Sequence, residues 1–377
     1  MSGADADLAV VGAGIVGLAH ALEGARRGLK VVVCERDARA QGASVRNFGM
    51  VWPVGQTPGK AHRRALRSRA VWVETAPAAG IWHAETGSLH LAYREDERRV
   101  LEEFADAAPG MGYDCSMLGA DEVLARSGAV RPDGLLAGLW SPTEVCVDPR
   151  EAIAKLPAYL QEEYGVEFRF SDPVHAVDLP RVHTARGGFT ARRALVCGGA
   201  DFESLYPDVY AASGLRRCKL QMMRTAPQPG AWSLGPMLAG GLTLRHYASF
   251  AGCPSFEKLK ARVAAETPEY DRWGIHVLAS QNGLGEIVIG DSHEYGDGVT
   301  PFDRPEIDRL ILDYLGGFLA VPDLRVARRW HGIYAQNPHG PDFAAEPAPG
   351  VRIANGVGGA GMSTAFGLAQ ETFDDWA

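Results

Sequence analysis

The sequence predicts an α/β protein of two interwoven lobes, and three observations carry that prediction. Residues 8 to 35 pass from an apolar strand through a glycine turn and an amphipathic helix into a second apolar strand. Residues 351 to 373 repeat the order of strand, glycine-rich loop and helix at the other end of the chain. With 377 residues, the chain exceeds the size at which one hydrophobic core stops growing, so a second lobe is expected.

Composition narrows the class. Hydrophobic residues make up 46% and charged residues 22%, with 45 glycines, which is globular and neither disordered nor fibrous. The formal charge is −8 and no lysine or arginine cluster is long enough to track a phosphate backbone, so no nucleic-acid partner is expected. No apolar run approaches the roughly 20 residues that span a bilayer. The opening MSGADADLAVVGAG enters a strand without a basic segment or cleavage site, so a cytoplasmic location is expected. Cys34, Cys115, Cys146, Cys197, Cys218 and Cys253 form no CxxC pair, which favours reduced thiols over a zinc site or a disulfide framework.

The first glycine turn, in LAVVGAGIVGLAHALEGARRGLKVVVCE, has the spacing of a dinucleotide site. Gly12 permits the tight turn, Gly14 lets backbone approach a pyrophosphate, and Gly17 lets helix pack on strand. Ile15 and Val16 open the helix, whose free N–H groups and dipole favour the phosphates. Glu35, about 20 residues downstream and followed by Arg36, is placed to accept from both ribose hydroxyls and to repel a 2′-phosphate. NAD and FAD share such a turn.

Two further segments favour the flavin. QGASVRNFGMVWP, residues 41 to 53, follows the second strand where a nicotinamide dehydrogenase would begin another βα unit. Ala43 and Ser44 suit a backbone beside the pyrophosphate, and Asn47, Phe48, Gly49 and Met50 are expected near the ring system; the alternative is a surface turn. In VRIANGVGGAGMSTAFGLAQETF, the loop of Gly358, Gly359, Ala360, Gly361 and Met362 aims a helix amino terminus that would stabilise negative charge on a reduced flavin. The alternative is a packing motif between lobes. Between the two, ARRALVCGGA ends a strand at Gly198 and Gly199, and Val174 is expected against the adenine. VDPREAIAKLPAYLQEEYGVEFRF reads as a helix, kinked or split at Pro157, and a strand.

Together these segments resemble the D-amino-acid oxidase, glycine oxidase and sarcosine oxidase superfamily over essentially the whole chain. The resemblance implies a Rossmann-like FAD-binding domain from residues 1–80, 145–212 and 326–377, and an antiparallel-sheet substrate domain from 81–144 and 213–325. It implies an FAD-dependent oxidoreductase acting on CH–NH2 or CH–NH–CH3 groups, with a small-molecule amine as substrate and oxygen or another electron acceptor. ASVRNFGMVWPVGQ, GLTLRHYASFAGCPS, EIVIGDSHEYG and WHGIYAQ are similar to a subgroup associated with aminophosphonate breakdown. A flavin redox sensor is the non-enzymatic alternative, and an ordinary glycine, sarcosine or D-amino-acid oxidase the enzymatic one.

Amine oxidation by a flavin requires position and electrostatics and no metal or dedicated nucleophile. The resemblance places Asn47, Met50 and Tyr334 at the reacting end. Tyr334 stands where related oxidases carry a carboxylate-clamping arginine, and it offers one hydrogen bond and no charge. Gly367 stands where sarcosine oxidases add a lysine, and Val288 where they carry another above the flavin. Their attachment cysteine has no counterpart between Trp330 and Gln336, so FAD is expected to be non-covalent. Arg245 and Tyr247, read as sharing one face of a strand with His246 turned away, are expected to hold the substrate anion with His293, His331 and Tyr334.

Overall fold

A computed structural model describes residues 4–376; residues 1–3 and 377, the extreme ends expected in the first lobe, lie outside the described residues. Strand β1 (Ala6–Val11), helix α1 (Ile15–Arg26) and strand β2 (Val31–Cys34) form the first βα unit. Leu8 and Val10 enter the core beneath the helix while Ala9 faces the opposite core, the period-two alternation of a strand buried on both sides. Leu18 and Leu22, one helical turn apart, meet that first core. Burying each such side chain contributes roughly 1.5–3 kcal/mol.

Five parallel strands carry the lobe, in the order Val351–Asn355, Phe189–Val196, β1, β2 and Glu167–Arg169. Helices Pro149–Tyr164, Lys60–Ala78 and Gly361–Asp374 join α1 on one face. The first of these runs unbroken through Pro157, so the expected split does not occur. Asp148 caps it by accepting from the Arg150 N–H at 2.9 Å, and Ile153, Leu156 and Leu160 hold its buried face across the missing hydrogen bond.

The second lobe is a nine-stranded sheet, antiparallel except where Met237–Ala239 runs parallel to Ser88–Ala92. Ile307, Ile311, Leu315 and Phe318 of helix Pro305–Phe318 form its apolar stripe against Leu89, Leu238 and Ile289 of the sheet. Strand Val326–Gln336 belongs to this sheet, paired along its length with Arg216–Pro227. The expected boundary at residue 326 is therefore corrected: eleven residues assigned to the first lobe form part of the second sheet. The small sheet of Met50–Val51, Val145–Val147 and His83–Ala84 stands apart from both.

The strand expected around Arg245 is also corrected. Residues Gly241–Arg245 and Ala248–Phe250 are 3-10 turns. Gly240 and Gly241 press so closely on neighbours that a β-carbon would stand 2.7 Å from the Tyr314 ring or 2.2 Å from the Glu97 carboxyl carbon. The Thr243 hydroxyl donates to the Gly240 carbonyl and closes the turn.

Candidate functional site

One cavity of about 1270 Å³ takes lining residues from both sheets. Its first end is the β1–α1 turn, where Gly12, Gly14, Ile15 and Val16 form the wall. Gly17 lies beneath it: a β-carbon there would stand 1.9 Å from the Gly12 carbonyl oxygen, while Gly12 itself has φ of +102°. Glu35 accepts from the Ala13 N–H at 2.9 Å and the Asp37 N–H at 3.1 Å, which points its carboxylate along the cavity rim. Arg36 pairs with Asp201 at 2.7 Å. Val174, Gly198 and Gly199 complete this end.

The loop after β2 forms the floor. Ala43, Ser44, Asn47, Phe48 and Met50 line the cavity, and the Ser44 hydroxyl accepts from the Ile15 N–H at 2.9 Å. Asn47 is committed to the loop itself: its amide donates to the Ala43 and Ser44 carbonyls at 3.0 Å each and accepts from Gly49 N–H at 2.8 Å. Both ends of the Asn47 amide are thus engaged within the loop, and the residue still lines the cavity. Gly49 is off the cavity, with φ of +74° and its α-carbon pressed on the Val147 carbonyl, where a β-carbon would stand 1.9 Å away.

Beside Ile15, whose side chain would stand 3.5 Å from a Gly361 β-carbon, Gly358, Gly359, Ala360, Gly361 and Met362 line the wall, and no side chain caps the helix that begins at Gly361. Its first-turn N–H groups and dipole are thus available to an anionic or electron-rich group. Tyr334 faces this turn, its hydroxyl 3.6 Å from where a Gly359 β-carbon would lie. Opposite stand Trp52, His246, Tyr247, His276, Asp291, His293 and Tyr295, all on the cavity wall. Trp52 and Tyr247 stack with ring centroids 6.2 Å apart.

Two expected substrate-binding residues face elsewhere. Arg245 is not on the cavity: it pairs with Asp271 at 2.5 Å and donates to the Ile275 carbonyl at 2.8 Å. His331 turns to the other side of its strand, 2.9 Å from Asp303, while Gly332 and Tyr334 face the cavity. Gly367 packs on helix Lys60–Ala78, where a β-carbon would stand 2.3 Å from the Arg64 carbonyl oxygen, so no side chain from that position reaches the site. Val288 is buried with Tyr334, Cys218 and Met222.

His276, Asp291 and Trp52 are not marked out by the sequence, and His246 faces the cavity instead of turning away. The signal for Asp291 lies in GDSH, a charged residue directly after an apolar strand; nothing local marks His276. Burial drives the electrostatics of this wall. It pushes His293 down to about 4, His276 well below the usual imidazole range, and Asp291 well above the usual carboxylate range. Burial likewise pushes the Tyr334 phenol well up, so it is a neutral donor.

The cradle fits an extended dinucleotide. Gly12 and Gly17 leave no room for β-carbons, one at Gly14 would crowd the Ser44 hydroxyl at 3.1 Å, and Glu35 lines the same cavity, the pattern expected of a pyrophosphate turn followed by a ribose-binding acid. The second glycine turn and an uncapped helix amino terminus line the same cavity beside Ile15 of the first turn, and the helix dipole there favours an electron-rich group. Among the described residues, no helix is long and apolar enough to cross a membrane.

Comparison with known proteins places these features in context. A family model described as FAD dependent oxidoreductase matches residues 7–374. The bifunctional tRNA 5-methylaminomethyl-2-thiouridine biosynthesis protein MnmC of Maricaulis maris is 24% identical over 98% of this chain, which spans 52% of that relative's length. An opine oxidase subunit of Agrobacterium tumefaciens is 22% identical over 89% of this chain and 84% of its own. The crystal structure of glycine oxidase from Geobacillus kaustophilus superposes with a TM-score of 0.78 at 20% identity, covering 98% of this chain and 95% of that one, and shares the fold.

Proposed function

This chain belongs to the family of FAD-dependent oxidoreductases, and on that premise we propose that it oxidises a small primary or N-methyl aminophosphonate of the 2-aminoethylphosphonate kind. When bound, FAD accepts a hydride from the carbon bearing the amine. The imine product takes up water and releases ammonia, or methylamine from an N-methyl substrate, to give an aldehyde such as phosphonoacetaldehyde, and oxygen or another acceptor removes the electrons. No cysteine lies on Val326–Gln336, which supports non-covalent binding of the flavin.

The observation that carries this reading is the wall facing Tyr334. Of the cavity-lining guanidiniums, Arg36 and Arg217 are paired with Asp201 and Glu203, and Arg46 donates to the His331 carbonyl at 3.2 Å. Tyr334 replaces the two-point cation that an α-carboxylate needs. Imidazoles and phenols instead approach from several directions, which suits the three spread oxygens of a phosphonate better than a flat carboxylate. The Tyr334 hydroxyl and the first turn of the helix at Gly361 orient the reacting end, and Trp52 and Met50 keep it dry.

The test is stoichiometry. Purified protein supplied with 2-aminoethylphosphonate under limiting acceptor should release one aldehyde per flavin reduced. Flavin reduction without aldehyde would sink the enzymatic reading and leave a redox sensor.

A further inference from the structure

The amine chemistry calls for no metal, and the histidines at 246, 276 and 293 show no metal-ligand spacing, yet the fold brings them together. Their nearest ligand atoms all lie within 4.8 Å of one another, with His246 exposed to the cavity and His276 and His293 buried in its wall. The ring centroids of His246 and His276 are 3.7 Å apart, and those of His246 and His293 4.5 Å.

Each buried ring has one nitrogen beside an oxygen of the surrounding wall. His293 Nδ1 lies 3.0 Å from the Gly274 carbonyl oxygen, and since a carbonyl only accepts, that nitrogen carries the proton and Nε2 keeps its lone pair. His276 Nε2 lies 3.0 Å from Asp291 Oδ1, out of line for a hydrogen bond, and its Nδ1 is buried without any partner. Asp291 Oδ1 is also buried without a hydrogen-bond partner. With Asp291 against Nε2, the orphaned Nδ1 is the His276 nitrogen left for a further group. A backbone carbonyl and a carboxylate behind imidazoles are the supports that metal-bound histidines carry.

We infer that His246, His276 and His293 form a binding site for a divalent transition-metal ion such as zinc, with Asp291 supporting His276 and one coordination position open to the cavity. Three neutral nitrogen donors and an open fourth position match zinc's tetrahedral preference. The dication supplies the positive charge that this wall lacks now that Arg245 is engaged by Asp271. Its open position would take one oxygen of an anionic substrate. The site stands on the imidazole geometry and does not depend on which amine is oxidised.

The experiment is zinc titration of the purified FAD-loaded protein after chelator dialysis, read by calorimetry and by metal content after desalting. One zinc per chain is expected. H276A and H246A should each weaken binding by about 100-fold or more, and D291N by roughly 10–100-fold, the usual range for loss of a supporting partner. H246A alters only a side chain exposed to the cavity, so it remains informative if H276A fails to fold; flavin absorbance and melting temperature verify each variant. Zinc uptake no greater in the wild type than in the H246A/H276A/H293A variant would overturn the site. So would binding of inorganic phosphate to metal-free protein that H246A abolishes, without zinc uptake, since that would make the cluster an anion site. A failed substrate reading would leave the zinc stoichiometry untouched.

Discussion

Arg245 and Asp271 form an ion pair at 2.5 Å that ties the Gly241–Arg245 turn to helix Pro268–Arg272, outside the cavity. The same guanidinium donates to the Ile275 carbonyl, next to His276. Arg245 therefore supports the wall from behind. R245A should lower stability by about 2 kcal/mol, less than for a fully buried pair because Asp271 is partly open to water. The KM for the amine should change by less than about 2-fold, since no ground-state contact is removed. A thermal melt and steady-state kinetics on the same preparation check this, and a large rise in KM at unchanged stability would contradict it.

Gly17 has no room for a side chain, because its β-carbon would meet the Gly12 carbonyl oxygen at 1.9 Å. G17A should force helix α1 away from the turn at a cost of about 1–3 kcal/mol. Purified G17A should retain little flavin, measured as visible absorbance per chain, and added FAD should not restore it. Full flavin occupancy in G17A would show that the turn is not where the pyrophosphate passes.

Tyr334 is buried and faces the glycine turn at 358–360 with its hydroxyl. Y334F removes one neutral hydrogen bond and little volume. Expected is a fall in kcat/KM of about 2–10-fold, the value of one such bond, with FAD content unchanged. Unaltered kcat/KM would remove Tyr334 from the reacting end.

His20 and His90 lie in the interior, and burial pushes them down to about 4 and about 3. Both ring nitrogens of His90 lack partners, between Trp52 and Phe250. The unfolded chain binds these protons near pH 6.5 and the folded chain does not. Their contribution to stability is thus complete above about pH 6.5 and is lost as pH falls toward 4. Melting temperature should decline over that window, and H90F, which fills the same aromatic slot without titrating, should make the decline shallower. An identical slope in H90F would reject the assignment.

The parts legible in the sequence are those built from neighbours. The β1–α1–β2 unit follows from period-two strands and the glycine spacing at 12, 14 and 17; the tightest constraint, Gly17 against the Gly12 carbonyl, lies within the turn itself, while Gly12 and Gly14 meet Cys197 and Ser44 from elsewhere in the chain. The helix at Gly361 is legible for the same reason. Alternation along Val326–Gln336 also suffices to put Gly332 and Tyr334 on one face, and it places His331 on the other, where the structure has it. Arg245 escapes such a reading because the turn that redirects it is set by Tyr314, Phe318 and Glu97 pressing on Gly240 and Gly241. The same long-range packing assembles His246, His276, Asp291 and His293 from separate segments, and no local pattern announces it. Strand Val326–Gln336 falls to the wrong lobe when read locally because its partner, Arg216–Pro227, is distant in the chain.

The most direct measurement is anaerobic mixing of the FAD-loaded protein with matched amines, following the loss of oxidised-flavin absorbance. 2-Aminoethylphosphonate or its N-methyl derivative should bleach the flavin faster, and at lower concentration, than glycine, sarcosine or D-alanine. Equal or faster bleaching by the amino acids would contradict the aminophosphonate reading and make the chain an amino-acid oxidoreductase of the same family.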